Sequence, residues 1–197
     1  MNPIVLITGA SRGIVAATAL LAARNGWDVA VNYSHNQQAA DQVVQQVQAL
    51  GQRAIAVQTD VADDAQVKAM FAQVASQLGR IRALVNNAGV VDRAQRVQDM
   101  DMARWQRMFA INVLGSFACA REAVNAMSTA QGGAGGSIVN VSSAAARLGA
   151  AHQYVDYAAA KAAIDTMTLG LAHAVASQGI RVNEVRPGLI ETDIHAG

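Results

Sequence analysis

Tyr157 and Lys161 stand four residues apart, so on a helix they share one face. Ser142 and Ser143 close an apolar run a little upstream. A phenol, an ammonium and a hydroxyl in one place suit proton exchange with a carbonyl or alcohol oxygen. A free phenol titrates near pH 10, so a nearby ammonium is expected to bring Tyr157 down towards neutrality. The basic residues are thirteen Arg against two Lys, which makes Lys161 stand out as a place where an amine is wanted. Far away in sequence, Thr8-Gly9-Ala10-Ser11-Arg12-Gly13-Ile14 follows the apolar run Ile4–Ile7. A strand running into a glycine turn and a helix is a cradle for a pyrophosphate. Together the two motifs point to hydride transfer with acid–base assistance.

These groups need elements to hold them, and the chain alternates. Strands are expected at Ile4–Ile7, Val29–Tyr33, Ala54–Val57, Ala83–Val85, Ser137–Val141 and Ile180–Val185. Helices are expected at Gly13–Asn25, Gln37–Leu50, Asp63–Leu78, Met102–Met127 and Tyr157–Ser177. Strands alternating with helices predict a doubly wound parallel sheet, three layers α/β/α, in the order 3-2-1-4-5-6. Neither linker nor internal repeat divides residues 1–197, so one dinucleotide-binding domain is expected. Six notable clusters, Gly9–Gly13, Asn32–Ser34, Asp60-Val61, Asn87–Gly89, Ser142-Ser143 and Pro187-Gly188, each follow a strand, at the carboxyl ends where such sheets bind ligands.

The chain resembles the short-chain dehydrogenase/reductase family, of the kind containing 3-oxoacyl carrier-protein reductases and glucose 1-dehydrogenases. The resemblance rests on Thr8-Gly9-x-x-x-Gly13, Asn86-Asn87-Ala88-Gly89, Asn112, Ser143, Tyr157-x-x-x-Lys161 and Pro187-Gly188, in the family's order over nearly the whole chain. It implies an NAD(P)-dependent oxidoreductase acting on a small carbonyl or alcohol substrate. Tyr157 would exchange the proton, and Lys161 would also bind the nicotinamide ribose. Ser143, favoured over its neighbour Ser142, would bond the reacting oxygen, and Asn112 would anchor a proton-relay water to Lys161. The cofactor would lie against Gly9, Ser11, Arg12, Gly13, Ile14, Asn32, Tyr33, Ser34, Asn87, Ala88, Gly89, Tyr157, Lys161, Pro187, Gly188, Ile190 and Thr192, with Asp60 and Val61 over the adenine.

Charge bears on the choice of cofactor. No carboxylate lies between Val31 and Asn36 to hold the ribose diol of NAD, and Arg12 stands ready for a 2′-phosphate. NADP(H) is favoured over NAD(H). Two departures from the family pattern keep a second reading open, a non-catalytic scaffold or binding protein. Val15 replaces the third glycine of the turn, where a bulky side chain is expected to crowd the cofactor. The chain also ends before the family's substrate-covering helix and seventh strand.

Composition excludes other classes. Apolar residues are 52%, charged residues 15% and the formal net charge +1, which favours a globular protein without nucleic-acid or membrane partners. The opening residues carry no secretory signal, and a single Cys119 suits a reducing, cytoplasmic setting. The four histidines are scattered, so no metal is expected. The helices 102–127 and 157–177 are expected to pair copies of the chain into a homodimer or homotetramer, with Phe117, Ile164, Met167 and Leu171 as candidate contacts.

Overall fold

Six apolar runs become six parallel strands in a computed structural model that describes residues 2–190. β1 (Ile4–Ile7), β2 (Asp28–Tyr33), β3 (Ala54–Gln58), β4 (Ala83–Asn86), β5 (Gly136–Val141) and β6 (Ile180–Val185) form one sheet. Its order is β3-β2-β1-β4-β5-β6, as expected from the alternation. β1 is the pivot, with Ile7 opposite Val31 on one side and Val85 on the other. Every residue of β1 and β2 is buried, because helices cover both faces of the sheet.

Alternation along the strands divides the core. Val5 and Ile7 pack with Val15, Ala19 and Ala23 of α1 (Gly13–Arg24) and with Val43 and Val47 of α2 (Gln37–Ala49). Ile4 and Leu6 face the other layer. There they meet α3 (Asp64–Gln77), α5 (Gly115–Met127) and the C-terminal part of α7 (Val155–Val175). Side chains start several helices. Asn36 Oδ1 accepts from Ala39 N at 3.0 Å before α2. Asp63 Oδ1 accepts from Ala65 N at 2.9 Å before α3. Asp101 Oδ1 accepts from Arg104 N at 2.7 Å before α4 (Met102–Phe109).

The stretch 102–127 differs from a single regular helix. Between α4 and α5 the residues Ala110–Leu114 form a π-helical turn centred on Asn112. Such a turn leaves carbonyls without their regular partners, and the buried Asn112 amide bonds the Met108 carbonyl at 3.0 Å. A short α6 (Ala145–Leu148) follows β5 and leads towards α7, which begins at Val155, two residues before Tyr157. Among the described residues no helix is long and apolar enough to cross a membrane, and no group of His, Cys, Asp or Glu could hold a metal ion.

Candidate active site

The glycine turn is built by its neighbours' side chains. Gly9 has φ +66°, a backbone region that favours glycine. A Cβ there would stand 3.1 Å from Ala88 Cα, so the turn lies against Asn87-Ala88. Thr8 Oγ1 accepts from both Asn87 N and Ala88 N at 2.9 Å, which ties the ends of β1 and β4 together. Asn32 Oδ1 accepts from Gly9 N at 3.1 Å, while its Nδ2 donates to the Val57 and Thr59 carbonyls at 3.3 Å. Arg12 caps α1 without a side-chain hydrogen bond, and the first turn carries no acidic residue. Its amide groups are therefore offered to an anion from outside the helix. This cradle fits the pyrophosphate of a dinucleotide.

Several residues expected at the cofactor point their side chains elsewhere. Tyr33, Val61 and Asn32 are buried, the first two in the apolar core and the third in the bonds just described. Their main chain is what they leave for a ligand. Val15 is buried too, packed with Val5, Ile7, Ala10 and Val31 beneath the sheet. The expected crowding of the cofactor by Val15 is thus replaced by packing into the core. Ser11 is half-buried, and Arg12, Gly13, Ile14 and Ser34 are exposed around the turn. Asp60 is exposed, its carboxylate accepting from Ala62 N at 3.0 Å.

The other half of the rim is made of side chains. β5 ends at Val141, and the two serines beyond it take different partners on α7. Ser142 is buried and donates to the Lys161 carbonyl at 3.2 Å and to the Asp165 carboxylate. Ser143 is half-buried, accepts from Ala145 N at 3.1 Å and lies in hydrogen-bond contact with the Tyr157 hydroxyl. The Lys161 ammonium lies 5.7 Å from the Tyr157 ring centroid and donates to the Val141 carbonyl at 2.7 Å. Burial pulls the Lys161 amine down to about 8, against the pull of Asp165 in the other direction. Burial pushes the Tyr157 phenol up, and only the bond to Ser143 opposes it. The expected lowering of Tyr157 by Lys161 is therefore not a property of the chain alone, where burial outweighs the bond to Ser143; the ammonium gives one of its three donors to Val141 and keeps two.

Asn112 is fully buried in the π turn. Its Nδ2 donates to the Val90 carbonyl and its Oδ1 accepts from Val90 N, at 3.0 and 3.1 Å. A methyl group on Gly89 would collide with that Oδ1, so Gly89 is glycine because Asn112 is there. The side chain joins the end of β4 to the π turn, and no described hydrogen bond runs from it to Lys161. Beyond β6, the Pro187 carbonyl accepts from Ala144 N at 2.9 Å, and Gly188 and Ile190 are exposed beside it. Thr192 lies outside the described residues.

Two ion pairs at the site escaped the motif reading. Arg104 of α4 meets Asp156 of α7, and Arg186 meets Asp165 at 2.8 Å. Their members are far apart in sequence. One signal existed: Arg104, Met108 and Asn112 recur every four residues, and all three are buried.

The described geometry combines a dinucleotide cradle with a Ser, Tyr and Lys cluster across one rim. Residues 3–197 match the family model described as short chain dehydrogenase. The uncharacterized oxidoreductase YgfF of Escherichia coli is 51% identical over 193 residues, 98% of this chain and 78% of the relative. The 3-oxoacyl-[acyl-carrier-protein] reductase FabG of Staphylococcus aureus is 39% identical over 98% of this chain and 77% of its own. A Burkholderia cenocepacia short chain dehydrogenase solved in complex with NADP superposes with a TM-score of 0.91 at 36% identity. That match covers 98% of this chain and 76% of the other. The chain belongs to the short-chain dehydrogenase family of NAD(P)-dependent oxidoreductases.

Proposed function

We propose that the chain is a carbonyl reductase or alcohol dehydrogenase with a preference for NADP(H), working through Ser143, Tyr157 and Lys161. The observation that carries this reading is the Ser143–Tyr157 hydroxyl pair beside the buried Lys161 ammonium. When bound, the nicotinamide supplies or accepts the hydride. Tyr157 gives its proton to the substrate oxygen in reduction and takes one in oxidation. Ser143 donates a hydrogen bond to the same oxygen and holds it against the phenol. Lys161 keeps positive charge beneath the phenol as the proton leaves and holds the ribose. Asn112 supports the site through Val90, and its place in a proton relay remains part of the proposal.

Preference for NADP(H) is supported by charge. The exposed end of β2 reads Ser34-His35-Asn36 without a carboxylate, and Arg12 is exposed on the adjacent turn. The relative solved with NADP supports the same reading. Val15 no longer favours a non-catalytic scaffold, since its bulk is absorbed by the core. Fluorescence titration of NADPH and NADH, followed by NADPH consumption with a panel of ketones and aldehydes, tests the proposal. Tighter NADPH binding and turnover of at least one carbonyl class are expected. Absence of binding, or an NADH preference, would overturn it.

A self-associating, cytoplasmic enzyme belongs to the same reading. The candidate contacts change with the structure: Ile164 and Met167 are core residues and Leu171 is half-buried. Phe117 is exposed as expected, and it is joined on these helices by exposed Met102, Phe109, Leu114 and Leu169. Light scattering at micromolar concentration checks this, with a dimer or tetramer mass expected and a monomer mass against it. The Cys119 thiol, pushed up to about 12 by burial, suits a chain that needs no disulfide.

A further inference from the structure

The ion pair between Arg104 and Asp156 takes no part in the chemistry above, yet Asp156 is the residue immediately before Tyr157. The guanidinium grips the carboxylate with two bonds, Nε to Oδ2 at 2.7 Å and Nη2 to Oδ1 at 3.2 Å. The two side chains are only 6% and 2% exposed. The third guanidinium nitrogen, Nη1, donates to the Arg93 carbonyl at 2.9 Å and to Gln95 Oε1 at 3.0 Å. Gln95 N in turn donates to the Gln153 carbonyl at 3.0 Å. One fork therefore joins the segment after β4, the helix α4 and the segment leading into α7.

Apart from this fork, the start of α7 is tied by main-chain bonds, Tyr154 N to the Ala150 carbonyl at 3.0 Å and Ala158 N to the Tyr154 carbonyl at 2.9 Å. Tyr154 stands at its cap without a side-chain hydrogen bond. The first amide groups of a helix have no partner within it. Tyr157 N is one of these, and it donates to Asp156 Oδ1 at 2.9 Å. The carboxylate that Arg104 holds is thus the acceptor that holds the backbone of the tyrosine. A buried ion pair is not needed for stability, since apolar replacements of such pairs are often as stable. A bidentate Arg–carboxylate pair does supply a fixed direction, which apolar contacts do not.

The geometry points to Arg104 and Asp156 as positioning residues that fix the first turn of α7 and thereby aim the Tyr157 hydroxyl at the rim. In its kinetic part this rests on the reductase reading above. Removing the fork lets the first turn fray while the rest of α7 stays packed on the core. The phenol then samples more directions, and the proton reaches the substrate oxygen less often.

The test compares the parent chain with Arg104→Met/Asp156→Leu, Asp156→Asn and Arg104→Lys. The double variant removes both charges together, so a buried unpaired charge does not unfold it. Amide exchange on the full chain, read by mass spectrometry, is expected to speed up about tenfold or more in residues 155–158 of the double variant, with the sheet unchanged. With the carbonyl substrate found for the parent, kcat is expected to fall about 10- to 100-fold. KM and NADPH affinity should stay within about twofold, because neither residue touches the cradle. Asp156→Asn keeps an acceptor for Tyr157 N, so its kcat should fall between parent and double variant, while the unpaired Arg104 charge lowers its stability below both. Arg104→Lys keeps the charge but not the fork, and should recover part of the loss. Unchanged exchange at 155–158, or a kcat within about twofold of the parent, overturns the inference. A kcat loss matched by equal losses in NADPH affinity and in protection of the sheet also overturns it, as that marks general destabilisation. If the parent turns over no carbonyl at all, the reductase reading fails, and the exchange data alone decide whether Arg104 and Asp156 fix the turn.

Discussion

The two halves of the rim make a site by different means. On the β1–β3 side, main-chain groups are what a ligand meets. Thr8 and Asn32 spend their side chains holding the glycine turn in place, and Val15 and Tyr33 serve the core. On the β4–β6 side, the proposed reaction uses the side chains themselves. Among the described residues, ten of the fourteen buried polar or charged ones lie beyond Ala83, including Asn112, Ser142, Asp156 and Lys161. A main-chain cradle tolerates changes of side chain as long as the turn keeps its shape. A side-chain cluster does not, and its buried charges weaken the fold that carries it.

The sharpest way to break this contrast is Tyr157→Phe. It should cost about 10²–10⁴-fold in turnover, the range of acid–base catalysis, with NADPH affinity unchanged. Near-normal turnover would remove Tyr157 from the proton step. Val15→Gly probes the other half. Loss of the buried side chain and the freedom of glycine should cost about 2–4 kcal/mol of stability. The fall in Tm should be equal with and without NADPH, because the side chain faces the core and not the ligand. A smaller fall in the presence of NADPH would return Val15 to the cofactor.

Lys161→Met tests the cost of the catalytic side. The folded amine titrates at about 8 against 10.5 in the free side chain, so the unfolded chain holds the proton more tightly. The penalty is fully present below pH 8 and fades as pH rises towards 10.5. The variant should be inactive but about 1–3 kcal/mol more stable than the parent at pH 7, with the advantage shrinking by pH 10. Urea unfolding at the two pH values measures it, and a constant difference would show that the amine is not what burial penalises. The smallest effect is expected from Arg12→Ala, which should narrow the ratio of NADH to NADPH dissociation constants by about tenfold or less. An unchanged ratio would clear Arg12 of any part in cofactor choice.

The strand order was readable because parallel strands buried on both faces are unbroken apolar runs, and each one ends in a glycine or polar cluster. The π turn was not. Nothing local marks Ala110–Leu114 as irregular, and Asn112 holds its place through Val90, a residue from the end of β4. Reading every polar strand end as a ligand contact likewise overreached. Asn32 looks like a ligand group in sequence, yet its amide is consumed by main chain at the ends of β1 and β3. Arg104 and Asp156 were missed because the four-residue recurrence of Arg104, Met108 and Asn112 marks an inward face but not a partner 52 residues away.

β1 lies between β2 and β4, and this placement has a consequence for synthesis. β2 can pair with β1 soon after both emerge, but the other edge of Val5, Leu6 and Ile7 must wait for Ala83–Val85. At about 5–20 residues per second, the stretch from Tyr33 to Ala83 occupies the ribosome for about 3–10 s. Through that interval the most apolar strand of the protein has an open edge, the condition under which nascent chains recruit other strands. The Thr8 hydroxyl waits for the same event, since its partners are Asn87 N and Ala88 N. A chain stalled before Asn87 leaves the ribosome has the glycine turn in its sequence but no cradle, and β4 sets the moment at which the two half-sheets become one.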